Sequence, residues 1–123
     1  MRKGRKISGG KYKKNRKKKF YEKPSQARVV KLGNLRRKHL RIRGGNQKTV
    51  LISEEFANVI DKKTRKSKKV KIKNVLETPA NRFLARQNVL IKGALIETEI
   101  GKAKITNRPS QEGMIQAVLI EEK

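Results

Sequence analysis

The basic side chains are the residues of this sequence whose type and spacing could do chemistry. Lysine and arginine number 35 against 10 acidic residues in a chain of 123, which gives a formal charge of +25. A small domain needs a net charge of magnitude only about 2–8 to stay soluble. A larger excess calls for an extended acidic partner, because each cation that pairs with a nucleic-acid phosphate releases condensed counterions. The composition therefore predicts a nucleic-acid-binding protein.

The residue patterns that enzymes and metal sites need are missing from the sequence. It has no cysteine and a single histidine, His39, inside a basic run, so it offers no thiolate zinc site. It has no GxxxxGK[ST] phosphate loop and no HExxH motif. Glu97 and Glu99 share a strand face, but they are better explained as partners of Lys102 and Lys104 across a hairpin. We therefore predict that the chain is not an enzyme and takes no metal, cofactor or small-molecule substrate.

An anionic membrane is the other extended acidic partner to consider. Membrane-surface helices carry Trp, Phe or Leu along one face, whereas this chain has no Trp and three Phe, and its basic stretches have no such face. No apolar run approaches the roughly 20 residues of a membrane span, and no apolar region follows the basic N-terminus as in a secretory signal. The sequence therefore predicts a soluble, cytoplasmic protein without a membrane partner.

The charge is concentrated towards the N-terminus. Residues 1–48 hold 20 of the 35 basic residues and one acid, Glu22, whereas residues 76–123 hold 7 basic and 6 acidic residues. The first 26 residues have few apolar side chains and several glycines, so they cannot bury a core and are expected to be disordered in the free protein. We therefore predict two parts: a basic RNA-binding arm, residues 1–48, largely disordered when free, and a compact β domain, residues 49–123.

The elements that must position these cations are mostly strands. From Thr49 onwards the pattern is that of strands: residues 50–52 and 56–60 are short apolar runs, and apolar and polar residues alternate from residue 69, as in half-buried strands. Strands are predicted over residues 29–32, 49–52, 56–60, 69–77, 88–100, 102–107 and 114–120. In the strand over 69–77 the buried face is predicted to hold Val70, Ile72, Asn74 and Leu76.

One segment, residues 80–87, is predicted to be helical. Thr78 would cap its N-terminus and Pro79 would occupy the first helical position. Ala80, Phe83 and Leu84 would share its apolar face. Together these elements predict a mostly β fold: a small antiparallel, partly open β-barrel with one short helix and an extended basic N-terminal arm.

Two features of the folded part suggest specific RNA contacts. Gly44 and Gly45 lie between basic runs, where Arg43 could form a bidentate contact and Asn46 could reach a base edge or a ribose hydroxyl. An ordinary hairpin turn explains the glycine pair about as well. The pair Arg82/Arg86, four residues apart, would form a basic stripe on the helix. Aromatic residues make up 4% of the chain, which favours recognition through phosphate and shape over base stacking.

The residues predicted to contact RNA are basic side chains together with the glycines and amides beside them. They are Arg2, Lys3, Arg5, Lys6, Lys11, Lys13, Lys14, Arg16, Lys17, Lys18, Lys19, Arg36, Arg37, Lys38, Arg41, Arg43, Gly44, Gly45, Asn46, Lys48, Asn81, Arg82, Arg86, Asn88, Lys92 and Arg108.

The order of the segments resembles one known family. The chain opens with GRKISGGKYKKNRKKKFYE, continues through RIRGGNQK and ends with ETPANRFLARQNVLIKGALIETEIGKAKITNRPSQEGMIQAVL. This pattern is similar, over nearly the whole chain, to the S-eight-e family of small-subunit ribosomal proteins of archaea and eukaryotes. The absence of a large insertion between Ser53 and Lys68 resembles the shorter archaeal form. Ser110 stands where the family pattern would have glycine, which affects only the local turn.

The resemblance implies a structural constituent of the small ribosomal subunit that binds its ribosomal RNA and lies among other small-subunit proteins. It also implies a barrel-like body with an extended N-terminal arm. Charge alone leaves a DNA-compacting, chromatin-type protein as the alternative, since both need phosphate neutralisation. An RNA-processing enzyme is a third reading, which the absence of a catalytic constellation disfavours.

Overall fold

Strands dominate the structure, a computed structural model that describes residues 4–13, 16–24 and 27–120. The helical elements are one short α-helix and two single 3-10 turns, at Phe20–Glu22 and Arg43–Gly45. In chain order the others are β1 (Lys31–Leu32), β2 (Arg36–Arg41), β3 (Gln47–Glu54), β4 (Phe56–Ile60), β5 (Ser67–Glu77), α1 (Arg82–Arg86), β6 (Leu95–Thr98), β7 (Lys102–Ile105) and β8 (Gln116–Leu119). The predicted mostly β class with one short helix is therefore confirmed.

Five of the strands form a closed barrel in the order β4, β5, β6, β7, β8. Neighbours along the chain pair antiparallel, and the barrel closes through a parallel pairing of β4 with β8, where Val59 lies opposite Ala117. The sequence predicted a partly open barrel. Closure through β4 and β8 leaves these strands no unpaired edge, which removes a template for aggregation.

The remaining strands form a three-stranded sheet in the order β1, β3, β2. β2 pairs antiparallel with β3, and β1 pairs parallel with β3. β2 was not predicted, because its residues, RRKHLR, show no apolar alternation. The boundary predicted between residues 48 and 49 lies within β3, so the segment N-terminal to it includes two strands of this sheet.

One core joins the sheet to the barrel, and it is built from aliphatic side chains. Val30, just before β1, and Leu51 of β3 are buried in the same cluster as barrel residues such as Ile96 and Ile105. The backbone N–H of Leu90 donates to the carbonyl of Val30 at 2.8 Å. The segment before β1 is therefore held to the body by both burial and backbone hydrogen bonding.

β5 departs from the predicted alternation after its midpoint. Val70 and Ile72 are buried as predicted, but Asn74 and Leu76 are exposed and Val75 is buried instead. The pairing with β6 shifts register between Ile72 and Asn74. An extra residue at such a bulge moves every later side chain to the opposite face, so the prediction for Asn74 and Leu76 was wrong.

The long strand predicted over residues 88–100 is reduced to β6. Asn88 and Gly93 have positive φ values of 52° and 84°, which are incompatible with continuous strand geometry. Ala94, Ile96 and Thr98 are buried on one face, whereas Ile100, two residues further on, is exposed. The residues before β6 instead form turns that pack against β1 and lead into the barrel.

The helix is shorter than predicted and has a different cap. Asn81, not Thr78, caps α1: its side-chain oxygen accepts a hydrogen bond from the backbone N–H of Phe83 at 3.0 Å. The hydroxyl of Thr78 donates to the carbonyl of Asn81 and fixes the turn before the helix. Ala80 and Phe83, predicted on the apolar face, are exposed, while Leu84, predicted with them, and Ala85 are half-buried.

Candidate nucleic-acid interface

The first basic surface is the part of the N-terminal arm over residues 4–13 and 16–24, in which every lysine and arginine is exposed. A tight turn opens it: Lys6 and Gly10 are joined by a backbone hydrogen bond of 2.9 Å, and the guanidinium of Arg5 donates to the carbonyl of Gly9 at 3.0 Å. Gly9 has a φ of +79°, so the turn itself requires this glycine. The exposed arm residues predicted to bind RNA are Arg5, Lys6, Lys11, Lys13, Arg16, Lys17, Lys18 and Lys19.

Glu22, the arm's acid, is engaged with an arm cation. Arg16 donates two hydrogen bonds to its carboxylate, at 2.6 and 2.9 Å, and the backbone N–H of Lys19 donates a third. These contacts, that of Arg16 first, hold the pKa of Glu22 below its ordinary value. Arg16 is thus partly neutralised within the chain. Three further predicted residues lie outside the described ones: Arg2, Lys3 and Lys14.

The turn between β2 and β3 is the second surface. It closes through a 2.8 Å hydrogen bond from the N–H of Ile42 to the carbonyl of Asn46, and Gly44 and Gly45 both have a φ of +77°. A Cβ atom placed on Gly45 would meet nothing within 4 Å. The left-handed backbone of the turn accounts for both glycines. Arg43 and Asn46 stand exposed at its tip.

The cations of the β2–β3 hairpin divide into two groups. Arg37 lies 3.5 Å from the largely buried carboxylate of Glu54, and the ammonium of Lys48 donates to the side chain of Gln111. These two predicted residues therefore hold the sheet together and attach it to the body. The other predicted cations of β2 are exposed: Arg36, Lys38 and Arg41.

The third surface surrounds α1, where the predicted stripe of Arg82 and Arg86 is exposed. Both arginines line a groove between α1 and β5, together with Asn88. The guanidinium of Arg86 lies 6.0 Å from the ring centre of Phe83. The side-chain oxygens of Asn81 and Asn88 accept backbone N–H groups, so the amides predicted for RNA contact also have structural roles.

A fourth group of cations comes together from distant parts of the sequence. Lys92 and Arg108, both predicted to contact RNA, line a groove of about 230 Å³ with Arg28. The guanidinium of Arg28 donates to the carbonyl of Ser110 at 3.2 Å, which fixes it beside the turn that carries Arg108. Arg28 was not among the predicted residues, because nothing in its neighbourhood along the chain indicates that the fold places it here.

The largest basic surface missing from the predicted set is the β4–β5 hairpin. Its eight cations are all exposed: Lys62, Lys63, Arg65, Lys66, Lys68, Lys69, Lys71 and Lys73. The carboxylate of Asp61 closes its loop by accepting from the backbone N–H of Lys63 and the hydroxyl of Thr64, both at 2.9 Å. These bonds lower the pKa of Asp61, so this acid stays charged as a structural anchor.

The sequence did contain a signal for this hairpin. Lys69, Lys71 and Lys73 alternate with the buried Val70 and Ile72, so they must share the outward face of β5. The same alternation that predicts the buried face of β5 therefore also predicts a basic outer face. Two of these lysines have near neighbours within the chain: the ammonium of Lys71 lies 3.5 Å from Glu55, and that of Lys69 lies 4.8 Å from the ring centre of Phe56.

Across residues 4–13, 16–24 and 27–120, no cluster of three or more His, Cys, Asp or Glu side chains could hold a metal ion. In the same residues no helix is both long and apolar enough to cross a bilayer.

A closed barrel with an aliphatic core and cations exposed on several sides defines the class of strongly basic β-barrel proteins. Within that class, the chain belongs to the family described as Ribosomal protein S8e, whose model matches residues 1–120. The resemblance stated from the sequence is therefore confirmed.

Three relatives with the name "Small ribosomal subunit protein eS8" show how far the similarity extends. The protein of Sulfolobus acidocaldarius is 48% identical over 119 residues, covering 96% of this chain and 93% of the relative. That of Methanocorpusculum labreanum is 49% identical over 117 residues, covering 95% and 94%. That of Ignicoccus hospitalis is 47% identical over 121 residues, covering 97% and 93%. The match to archaeal relatives agrees with the predicted archaeal short form.

Proposed function

We propose that this chain is a structural constituent of the small ribosomal subunit that binds and stabilises small-subunit ribosomal RNA. The observation that carries the proposal is the imbalance of 35 cations against 10 acids, with the described cations exposed on several surfaces of one small body. The chain cannot neutralise this charge itself, whereas a folded RNA presents phosphate on many sides at once. Membership of the Ribosomal protein S8e family supports the ribosomal assignment.

Two parts of the chain contribute in different ways under this proposal. The arm up to about residue 25 is largely disordered in the free protein and follows the RNA backbone, because its charge is not offset by burial. Contacts of this kind supply affinity without reading sequence. The body fixes how the protein is placed on the RNA. It does so through the β2–β3 turn, the α1 stripe, the cluster of Arg28 with Lys92 and Arg108, and the β4–β5 hairpin.

The proposed partners are small-subunit ribosomal RNA and neighbouring small-subunit proteins, and the proposed location is the small subunit in the cytoplasm. The names of the relatives support this location. We propose no catalytic role, cofactor or small-molecule substrate.

Sedimentation of the tagged chain in a cell extract tests the assignment. We expect the chain in the small-subunit fraction of a sucrose gradient, and we expect it to leave that fraction when the extract is treated with ribonuclease. The chromatin-type alternative would be favoured if the chain were recovered with chromosomal DNA. Deoxyribonuclease, but not ribonuclease, would then release it.

A further inference from the structure

All five aromatic residues of the chain are exposed. They are Tyr12, Phe20, Tyr21, Phe56 and Phe83. Large aromatic side chains normally contribute strongly to a protein core, yet the buried apolar side chains here are aliphatic. Their position at the surface therefore calls for an explanation outside the core.

Four of these rings lie close to a cation. The pairs are Lys6 with Tyr12, Lys19 with Tyr21, Lys69 with Phe56 and Arg86 with Phe83, at 4.8–6.0 Å from nitrogen or guanidinium carbon to ring centre. Proteins hold unpaired nucleotides by stacking the base on an aromatic ring while a nearby cation binds the phosphate. The low aromatic content argued against stacking at the level of composition, whereas the placement of the few rings favours it.

Phe83 lies beside a groove rather than in its lining: its ring centre is 6.0 Å from the guanidinium of Arg86, which lines the groove between α1 and β5. It is 66% exposed, and the groove between α1 and β5, with a volume of about 540 Å³, is within the range of small-molecule sites (about 300–1,000 Å³). Its lining includes the exposed apolar side chain of Leu76, the guanidinium groups of Arg82 and Arg86, and the carboxylate of Glu77. The groove thus combines an apolar surface, two cations and an acceptor in one place.

Two amide side chains in this groove are oriented by a single backbone group. The N–H of Val75 donates to the side-chain oxygens of Asn74 and Asn88, at 2.9 and 3.3 Å. Among the residues that the structure describes, the NH₂ groups of these two asparagines have no hydrogen-bond partner. Both residues line the groove, so they can donate to a ligand.

We propose that the groove between α1 and β5 binds one unpaired nucleotide of an RNA, with its base against Phe83 and Leu76 and its phosphate on Arg82 and Arg86. Glu77, at the end of β5, repels phosphate, so the RNA backbone is expected on the side of the groove formed by α1. The NH₂ groups of Asn74 and Asn88 donate to acceptors on the base edge. A paired base offers no free face, so the ligand is a single-stranded or bulged element. This inference rests on the proposed function and deepens it.

The substitution Phe83→Leu in the full chain tests the proposal, because leucine keeps an apolar side chain and loses the ring face. The matched control is Phe56→Leu, since Phe56 is also exposed near a cation, but its cation, Lys69, does not line this groove, whereas Arg86 beside Phe83 does. The probes are a single-stranded RNA of about fifteen nucleotides and an RNA duplex of equal length. Because Phe83 is exposed, the thermal transition of Phe83→Leu should match that of the unaltered chain.

We expect Phe83→Leu to weaken binding of the single strand about tenfold and to leave binding of the duplex unchanged, whereas Phe56→Leu changes neither by more than about twofold. We also expect ultraviolet crosslinking of the unaltered chain to a small-subunit ribosomal RNA fragment to join a base to the peptide containing Phe83. Equal binding of the single strand by Phe83→Leu and the unaltered chain, or equal losses on both probes, would overturn the nucleotide site. Failure of the unaltered chain to bind the ribosomal RNA fragment at all would instead overturn the proposed function.

Discussion

Arg43 and Arg37 show how two nearby arginines can have opposite roles. Arg43 stands exposed at the tip of the β2–β3 turn, whereas Arg37 faces the largely buried carboxylate of Glu54. We predict that Arg43→Ala weakens binding of ribosomal RNA about ten- to hundredfold without changing the melting temperature, because a charge-assisted hydrogen bond is worth about 1.5–3 kcal/mol. Binding titration and thermal denaturation measure the two quantities.

The control, Arg37→Ala, should lower the melting temperature and leave the affinity for ribosomal RNA unchanged. It leaves the Glu54 carboxylate without its partner and should lower the free energy of unfolding by about 1 kcal/mol. Loss of stability in Arg43→Ala, or none in Arg37→Ala, would contradict these assignments. Gly45→Val cannot replace these variants, since a φ of +77° strains a valine whether or not RNA approaches.

The pH dependence of the β4–β5 loop follows from Asp61. Its pKa is lowered from the ordinary value of 3.8, first by the backbone N–H of Lys63 and then by the hydroxyl of Thr64. A lowered pKa in the folded state means that the stabilisation is fully present above pH 3.8 and is lost as the pH falls through the lower folded value.

We therefore predict that the protection of this loop from hydrogen exchange is constant at neutral pH and decreases only below about pH 3.8, the ordinary pKa of an aspartate. Amide hydrogen exchange at Lys63 and Thr64 measures it, and Asp61→Ala should give the acid-like exchange already at pH 7. A loop that loosens between pH 5 and 7 would show that another group controls it.

At the scale of elements, the docking of β1 decides how much of the N-terminal segment the fold needs. Residues 4–13 and 16–24 contain no buried side chain, whereas Val30 lies in the core. We predict that deleting residues 1–24 leaves a cooperative thermal transition. Deleting residues 1–48 should abolish it, because it removes Val30, β1 and β2.

Ile96→Asp in the full chain supplies the unfolded reference, since it places an unpaired charge at a fully buried position and costs several kcal/mol. A cooperative transition in the chain lacking residues 1–48 would show that residues 49–123 fold alone.

The sequence predicted the elements whose alternation is regular and failed where pairing or backbone conformation intervenes. β4 and β7 begin where predicted, because residues 56–60 form a short apolar run and the apolar residues of β7 alternate with lysines. β2 could not be found, since its strand geometry comes from pairing with β3 and not from its own residues. The bulge in β5 and the positive φ of Asn88 leave no mark in the local pattern.

The candidate interface was predictable in the same uneven way. A dense run of cations identifies the arm directly. The grouping of Arg28 with Lys92 and Arg108 depends on the fold, because these residues are far apart in sequence and meet only when the N-terminal segment docks. The exposure of Phe83 was missed because helical spacing alone placed it on the face with Leu84.

At the scale of the whole molecule, the β4–β5 hairpin should contribute to RNA binding independently of the arm. We predict that replacing Lys66, Lys68 and Lys73 together by glutamine reduces the slope of log affinity against log salt by about 2–3, since each phosphate contact contributes about 0.7–0.9. The melting temperature should not fall, because all three side chains are exposed. An unchanged slope would mean that this hairpin faces away from the RNA.

The central claim is that the arm supplies affinity and the body supplies preference for ribosomal RNA. The measurement that tests it most directly is a salt titration of three proteins against a small-subunit ribosomal RNA fragment and a DNA duplex of equal length. The proteins are the intact chain, the chain lacking residues 1–24, and the chain with Arg82→Gln and Arg86→Gln.

If the intact protein neutralises about six phosphates, its affinity should fall on the order of a thousandfold between about 50 and 200 mM salt. We predict that removing the arm flattens the slope and keeps the preference for RNA, whereas the double substitution erodes the preference more than the slope. Equal binding of both ligands by the intact chain at about 200 mM salt would contradict the account and favour a chromatin-type protein.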